Sequence, residues 1–152
     1  MTIEEILAEA IQGEVESYEL YTNAASMVRA AHIQDTLREL AQEEVGHKAY
    51  LERMLANPAS LRRGVKRLKT EPIQDYKIGD HLVVKPLGPN STFQDVCIFA
   101  SRKEQQSYEL YSGLAEQNEG EVRDLFAAMA KDELRHKNLV ERWYEEVVYQ
   151  DF

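Results

Sequence analysis

Six side chains in this chain have the types and spacing to hold two metal ions: Glu14, Glu44, His47, Glu104, Glu133 and His136. They sit in a pattern that occurs twice. Glu14 to Tyr21 reads EVESYELY and Glu104 to Tyr111 reads EQQSYELY, with six of eight letters shared across 90 positions. Each copy is followed by Glu-x-x-His, as Glu44/His47 and Glu133/His136, and Glu52-Arg53 recurs as Glu141-Arg142. Residues i and i+3 lie on one helix face, so Glu-x-x-His presents a carboxylate and an imidazole to the same point. Self-similarity at this spacing suggests a duplicated two-helix unit.

Charge decides what such a set can do. Four carboxylates meeting in a core would each cost several kcal/mol to desolvate and would repel one another. Protonation removes the charge but leaves the two-fold repetition with His without a reason. Two divalent cations cancel four carboxylates, and two neutral imidazoles complete the ligand set. A metal-free polar network is the alternative, and it must treat the repeat and its phase as accident. Carboxylates with imidazole suit iron or manganese better than copper.

The elements that must position these groups are helices. Thr2 with Glu5 resembles a capping box, opening a helix over about 2–29 with inner seam Leu7, Ile11, Glu14, Tyr18, Tyr21, Ala25 and Val28. A second helix is expected over about 32–56, with seam Ile33, Leu37, Leu40, Glu44, His47, Leu51 and Met54, ended by Asn57-Pro58. A third should span about 92–117 behind a Ser91 or Thr92 cap, with seam Phe93, Cys97, Ala100, Glu104, Ser107, Tyr111 and Leu114. A fourth should run over about 121–148, after a turn at Gly120, with seam Val122, Phe126, Met129, Glu133, His136, Val140, Trp143 and Val147. Each seam is apolar at both ends and interrupted near its middle by the six candidate ligands.

Residues 58–90 break the pattern. They contain prolines and glycines and show no sustained period. A short helix around Ala59–Leu68 and an extended piece at Val83-Val84 are the local features expected. Seven Lys/Arg stand against Glu71, Asp75 and Asp80, a local net charge of +4. The run 61–69 would suit an anionic surface, but a solvated connection lying on an acidic body is the simpler reading. So long a link makes sense if it travels the length of a bundle. The fold class expected is all-α: a four-helix bundle with one long crossover between the second and third helices, formed by a single domain over 1–152.

The composition bounds the rest. The chain has 152 residues, 43% hydrophobic and 30% charged, as in a globular domain. A formal net charge of −9 argues against a nucleic-acid partner. Cys97 is the single cysteine, so neither a disulfide framework nor a four-cysteine metal site can form within the chain. No apolar run reaches the roughly 18–20 residues needed to span a bilayer, and the first residues do not read as a signal peptide. A cytoplasmic protein with no membrane partner is expected.

The repeated Glu-x6-Tyr and Glu-x-x-His resemble the ferritin-like superfamily, and most closely the rubrerythrin family. The family pattern falls on Glu14/Tyr21, Glu44/His47, Glu104/Tyr111 and Glu133/His136, and the resemblance spans about 3–148 apart from the crossover. It implies two iron ions per chain, with manganese or a mixed pair possible. Glu44 and Glu133 would bridge the metals. Glu14, His47, Glu104 and His136 would be terminal ligands, with the pairing of Glu to His left open by the spacing. Tyr21 and Tyr111 would hydrogen-bond ligand carboxylates across the core. Rubrerythrins proper carry a four-cysteine iron domain, and a further carboxylate near the third-helix ligand. Here Cys97 stands alone, and that neighbourhood is Gln105, Gln106 and Ser107.

The resemblance implies an oxidoreductase in which Fe(II) oxidation is coupled to reduction of a small oxidant, hydrogen peroxide or O2. A separate rubredoxin-like protein would supply electrons, and a homodimer would be the assembly. Two further readings use the same bundle: iron binding or storage without turnover, and hydroxylation of an organic substrate.

Overall fold

The computed structural model describes residues 2–57, 75, 77 and 84–150. Among them are four helices and no strand: α1 (Ile3–Ala25), α2 (Ala31–Ala56), α3 (Phe93–Glu116) and α4 (Gly120–Gln150). The helix ends follow local chemistry. Thr2 accepts from the Glu5 amide while the Glu5 carboxylate accepts from Thr2 N–H, and Thr92 and Asp95 repeat this reciprocal cap at α3. Gly120 opens α4 at φ 67°, a backbone conformation that glycine adopts without steric cost.

α1 packs along α2, and α3 along α4, while α1–α3 and α2–α4 contacts close the four helices into a bundle. The chain therefore builds two helical hairpins and sets one against the other, with the link between α2 and α3 as the crossover. Expected and observed helices agree within a few residues except at the end of α1. That helix stops at Ala25, where Ser26 caps it and its Oγ donates to Asn23 O at 2.7 Å, so 26–30 serve to reverse the chain. The short helix expected at 59–68 lies outside the described residues, as does Val83, and Val84 is irregular and exposed.

The core has two apolar layers with a polar layer between them. One is built around Leu37, Leu40, Phe93, Val96 and Trp143, the other around Leu7, Leu51, Leu114, Phe126 and Met129. Three seams are essentially as read from the sequence, with Ser107 half-buried and the Val147 side chain outside the described residues, but the α1 seam is corrected. Its inward residues are Leu7, Ala10, Glu14, Ser17, Tyr21, Ala24 and the expected Ala25, whereas Ile11 and Val28 are half-buried and Tyr18 is 37% exposed. Both 3–4 alternations pass through Leu7, Glu14 and Tyr21. The structure turns the small residues Ala10 and Ser17 inward, beside the crowded polar layer, and leaves the bulky ones on the flank.

Candidate metal centre

The polar layer holds all six candidate ligands. Glu44, Glu133 and His136 have no exposed surface, Glu104 and Glu14 have 1–2%, and His47 has 4%. They divide into two groups, each with one ligand atom per residue lying within 4.8 Å of the others. One group is Glu14, Glu44, His47 and Glu133; the other is Glu44, Glu104, Glu133 and His136. Glu44 and Glu133 belong to both. Glu14 falls with His47 and Glu104 with His136, a pairing that the sequence left open.

Each imidazole turns Nδ1 inward. His47 Nδ1 is 3.1 Å from Glu133, 3.6 Å from Glu44 and 3.7 Å from Glu14. His136 Nδ1 is 3.2 Å from Glu44, 3.7 Å from Glu104 and 3.8 Å from Glu133. The two rings lie nearly parallel, 13° apart with centroids separated by 6.5 Å. Their outward Nε2 atoms are held by carboxylates of the opposite hairpin: His47 by Asp132 at 2.9 Å, and His136 by Glu43 at 2.6 Å. A neutral ring donating from Nε2 to such a carboxylate keeps the Nδ1 lone pair directed at the centre, the usual means of fixing a ligand tautomer. Arg135 spans both supports. It pairs with Glu43 and lies 3.7 Å from Asp132.

Two phenols complete the surround. Tyr21 donates to Glu104 and Tyr111 donates to Glu14, each reaching from its own hairpin to the other. Each ring also stands edge-on to an imidazole, Tyr21 to His136 and Tyr111 to His47. Burial, followed by the repulsion of Glu104 for Tyr21 and Glu14 for Tyr111, pushes both phenols well above their ordinary range, so they remain donors.

The carboxylates feel one another strongly. Burial pushes Glu14 up to about 8 against the pull of His47. Burial and repulsion from Glu104, Glu44 and Glu14 push Glu133 well above the usual range. Burial acts on Glu44 in the same sense, but the approach of His136 and Glu133 and the charge of both imidazoles outweigh it and hold Glu44 at about 2. Burial disfavours charge on His47, yet Asp132 and Glu14 raise it to about 10; His136 is raised in the same way by Glu104, Glu43 and Glu44. Without metal, the layer balances itself by taking up protons.

The residues fit two metal ions on the evidence of their own unsatisfied atoms. Glu14 Oε2, both oxygens of Glu44, both of Glu133, Glu104 Oε2 and the two Nδ1 atoms are buried and make no hydrogen bond. Among the described residues, Gln105 Oε1 is the only other atom in that condition. Buried polar atoms are nearly always paired. Here eight oxygen and nitrogen atoms converge in two overlapping groups instead. Glu43, Asp132 and Arg135 are the residues that sequence reasoning missed. A signal for two of them exists: an acid precedes each Glu-x-x-His, as Glu43-Glu44 and Asp132-Glu133.

Comparison with known proteins agrees with this architecture. No curated protein matches the chain. A hypothetical protein from Pyrococcus furiosus has the same fold, with a TM-score of 0.73 over 99% of this chain and 92% of that one at 22% identity. The family model for rubrerythrin matches residues 5–79 and 97–151, which takes in every residue of the polar layer. The chain belongs to the rubrerythrin family.

Proposed function

We propose that this chain is a non-haem di-iron oxidoreductase that couples oxidation of Fe(II) to reduction of hydrogen peroxide or O2. The observation that carries this reading is the set of eight buried, unpaired ligand atoms in two groups sharing Glu44 and Glu133. Glu14, Glu44, His47 and Glu133 would hold one iron, and Glu44, Glu104, Glu133 and His136 the other. When bound, two Fe(II) ions supply two electrons to a small oxidant.

The rest is the work of the chain. Apolar layers on both sides keep bulk water out, which strengthens every charge interaction within the centre. The Tyr21 and Tyr111 hydroxyls orient Glu104 and Glu14 and hold their protons there. Asp132 and Glu43 set the ring orientation of His47 and His136. At 39% and 35% exposure their carboxylates are also the polar link from the imidazole Nε2 atoms to solvent. The described chain offers only the buried Cys97 as a thiol, so electrons to restore the ferrous state would come from a separate donor. Burial raises that thiol and keeps it protonated. No helix of the described residues is long and apolar enough to cross a membrane. A homodimer in the cytoplasm is the setting we propose.

The test is anaerobic loading with two Fe(II) per chain, followed by stopped-flow mixing with peroxide or O2. Faster oxidation by peroxide marks a peroxide reductase, and faster oxidation by O2 marks a ferroxidase. Stable Fe(II) in the presence of both would overturn the redox reading and leave metal binding alone.

A further inference from the structure

The second copy of the repeat carries a buried ion cluster that the metal centre does not use. Lys137, the residue after His136, has no exposed surface. Its Nζ lies 2.9 Å from Asp75 Oδ1 and 3.1 Å from Glu141 Oε1, and Ser101 donates to the same Glu141 oxygen at 2.8 Å. The four residues tie three pieces of chain together: Ser101 from α3, Lys137 and Glu141 from α4, and Asp75 from the crossover. Ser101 stands one turn before Glu104, and Lys137 adjoins His136. The cluster therefore braces the two stretches that carry the terminal ligands of one proposed metal position.

Among the described residues, the other half lacks the brace. Its equivalent pair, Lys48 and Glu52, lies at 3.5 Å with side chains 40% and 54% exposed. The residue matching Ser101 is Ile11, which has no hydroxyl to offer. Glu44 and Glu133 serve both positions, so any difference between the positions falls on the terminal ligands and what holds them. Ligands already locked by packing and by outer hydrogen bonds bind with less ordering cost.

Building on the two-metal reading above, we propose that the Asp75–Lys137–Glu141–Ser101 cluster makes the two metal positions unequal. The Glu104/His136 position is preset and fills first; the Glu14/His47 position fills second and exchanges its ion more readily. Coupling is reciprocal, so an ion in the first position also holds Asp75 more firmly against α4.

Stepwise anaerobic titration of the metal-free full chain with Mn(II), followed by calorimetry, tests this alongside hydrogen exchange of the Lys77 amide, which donates to Asp75 at 2.9 Å. The wild type should show two uptake steps. Asp75→Asn should weaken the tighter step by about tenfold, the scale of losing an outer-sphere partner, and leave the weaker step in place. Lys48→Met should change neither step. Mn(II) should slow exchange at Lys77 in the wild type and slow it less in Asp75→Asn. If that variant does not fold, Ser101→Ala should give a smaller shift in the same step. Two equal steps in the wild type, or equal weakening of both steps by Asp75→Asn, would overturn the inequality while leaving the two-metal reading intact. Uptake of no Mn(II) at all would overturn both.

Discussion

Lys48 and Lys137 each follow a site histidine, and each has a glutamate one turn further along its helix. The local sequence is nearly the same, yet Lys48 and Glu52 are on the surface while Lys137 and Glu141 are buried. The difference lies in what covers them. In the second half, α3 contributes Ser101 and the crossover contributes Asp75; in the first half, nothing described lies over the pair. Val45 and Leu134 occupy matching positions and tell the same story, at 43% and 4% exposure. So does the residue before each histidine: Arg135 reaches over Glu43 and Asp132, where its counterpart Gly46 has no side chain. The repeat supplies two copies of the same Glu and Glu-x-x-His pattern, and Asp75 of the crossover, packed on the second copy, helps make their surroundings different. The inner ring remains symmetric and the outer ring does not.

The sharpest way to break that symmetry is at a shared ligand. Glu133→Ala should abolish binding at both positions, whereas His136→Ala should mainly empty one; metal content after desalting separates the two outcomes. A Glu133→Ala protein that still retains two metals per chain would refute the ligand assignment. The next largest effect concerns the outer ring. Lys137→Ala removes a fully buried cation from beside Asp75 and Glu141 and should cost about 3–5 kcal/mol in denaturant unfolding. Lys48→Ala removes an exposed ion pair and should stay within about 0.5 kcal/mol. Comparable losses for the two would mean that the crossover does not divide the halves as described.

Tyr21→Phe and Tyr111→Phe probe the symmetric part. Each removes a buried hydrogen bond to a carboxylate, worth about 1.5–3 kcal/mol, and the two losses should match. The smallest effect is on protons. In the metal-free chain Glu14, raised to about 8, and His47, raised to about 10, both carry a proton at pH 7. A cation must displace those protons, so uptake near pH 7 should acidify a weakly buffered solution, and affinity should fall as the pH drops further below 8. Proton release can be read from calorimetry in buffers of different ionisation enthalpy.

The architecture was legible because the repeat and the seams carry it. A charged residue at a core position of an otherwise apolar helix is costly, so Glu14, Glu44, Glu104 and Glu133 stood out, and the histidines shared their phase. The flanks were less legible. Whether Tyr18 or Ser17 faces inward depends on how closely α1 approaches its neighbours, and both choices fit a 3–4 alternation. Glu43 and Asp132 look like ordinary surface acids until the opposite hairpin places a histidine beside them. Lys137 reads as a solvated lysine, like Lys48, until a residue 62 positions earlier in the chain covers it. In each case the missing information was a contact between segments distant in the chain, which no local pattern encodes.

The crossed tyrosines and the crossed acid–histidine pairs bear on ancestry. Tyr21 serves Glu104 and Tyr111 serves Glu14; Asp132 supports His47 and Glu43 supports His136. No hairpin satisfies its own residues. Two identical hairpins associating about a two-fold axis would exchange all of these contacts and assemble the whole centre. The sites therefore require no fusion to exist. A chain half this long, working as a symmetric pair, would supply every group that the inner ring uses, and joining two copies through a crossover would add only the freedom for the two sides to diverge.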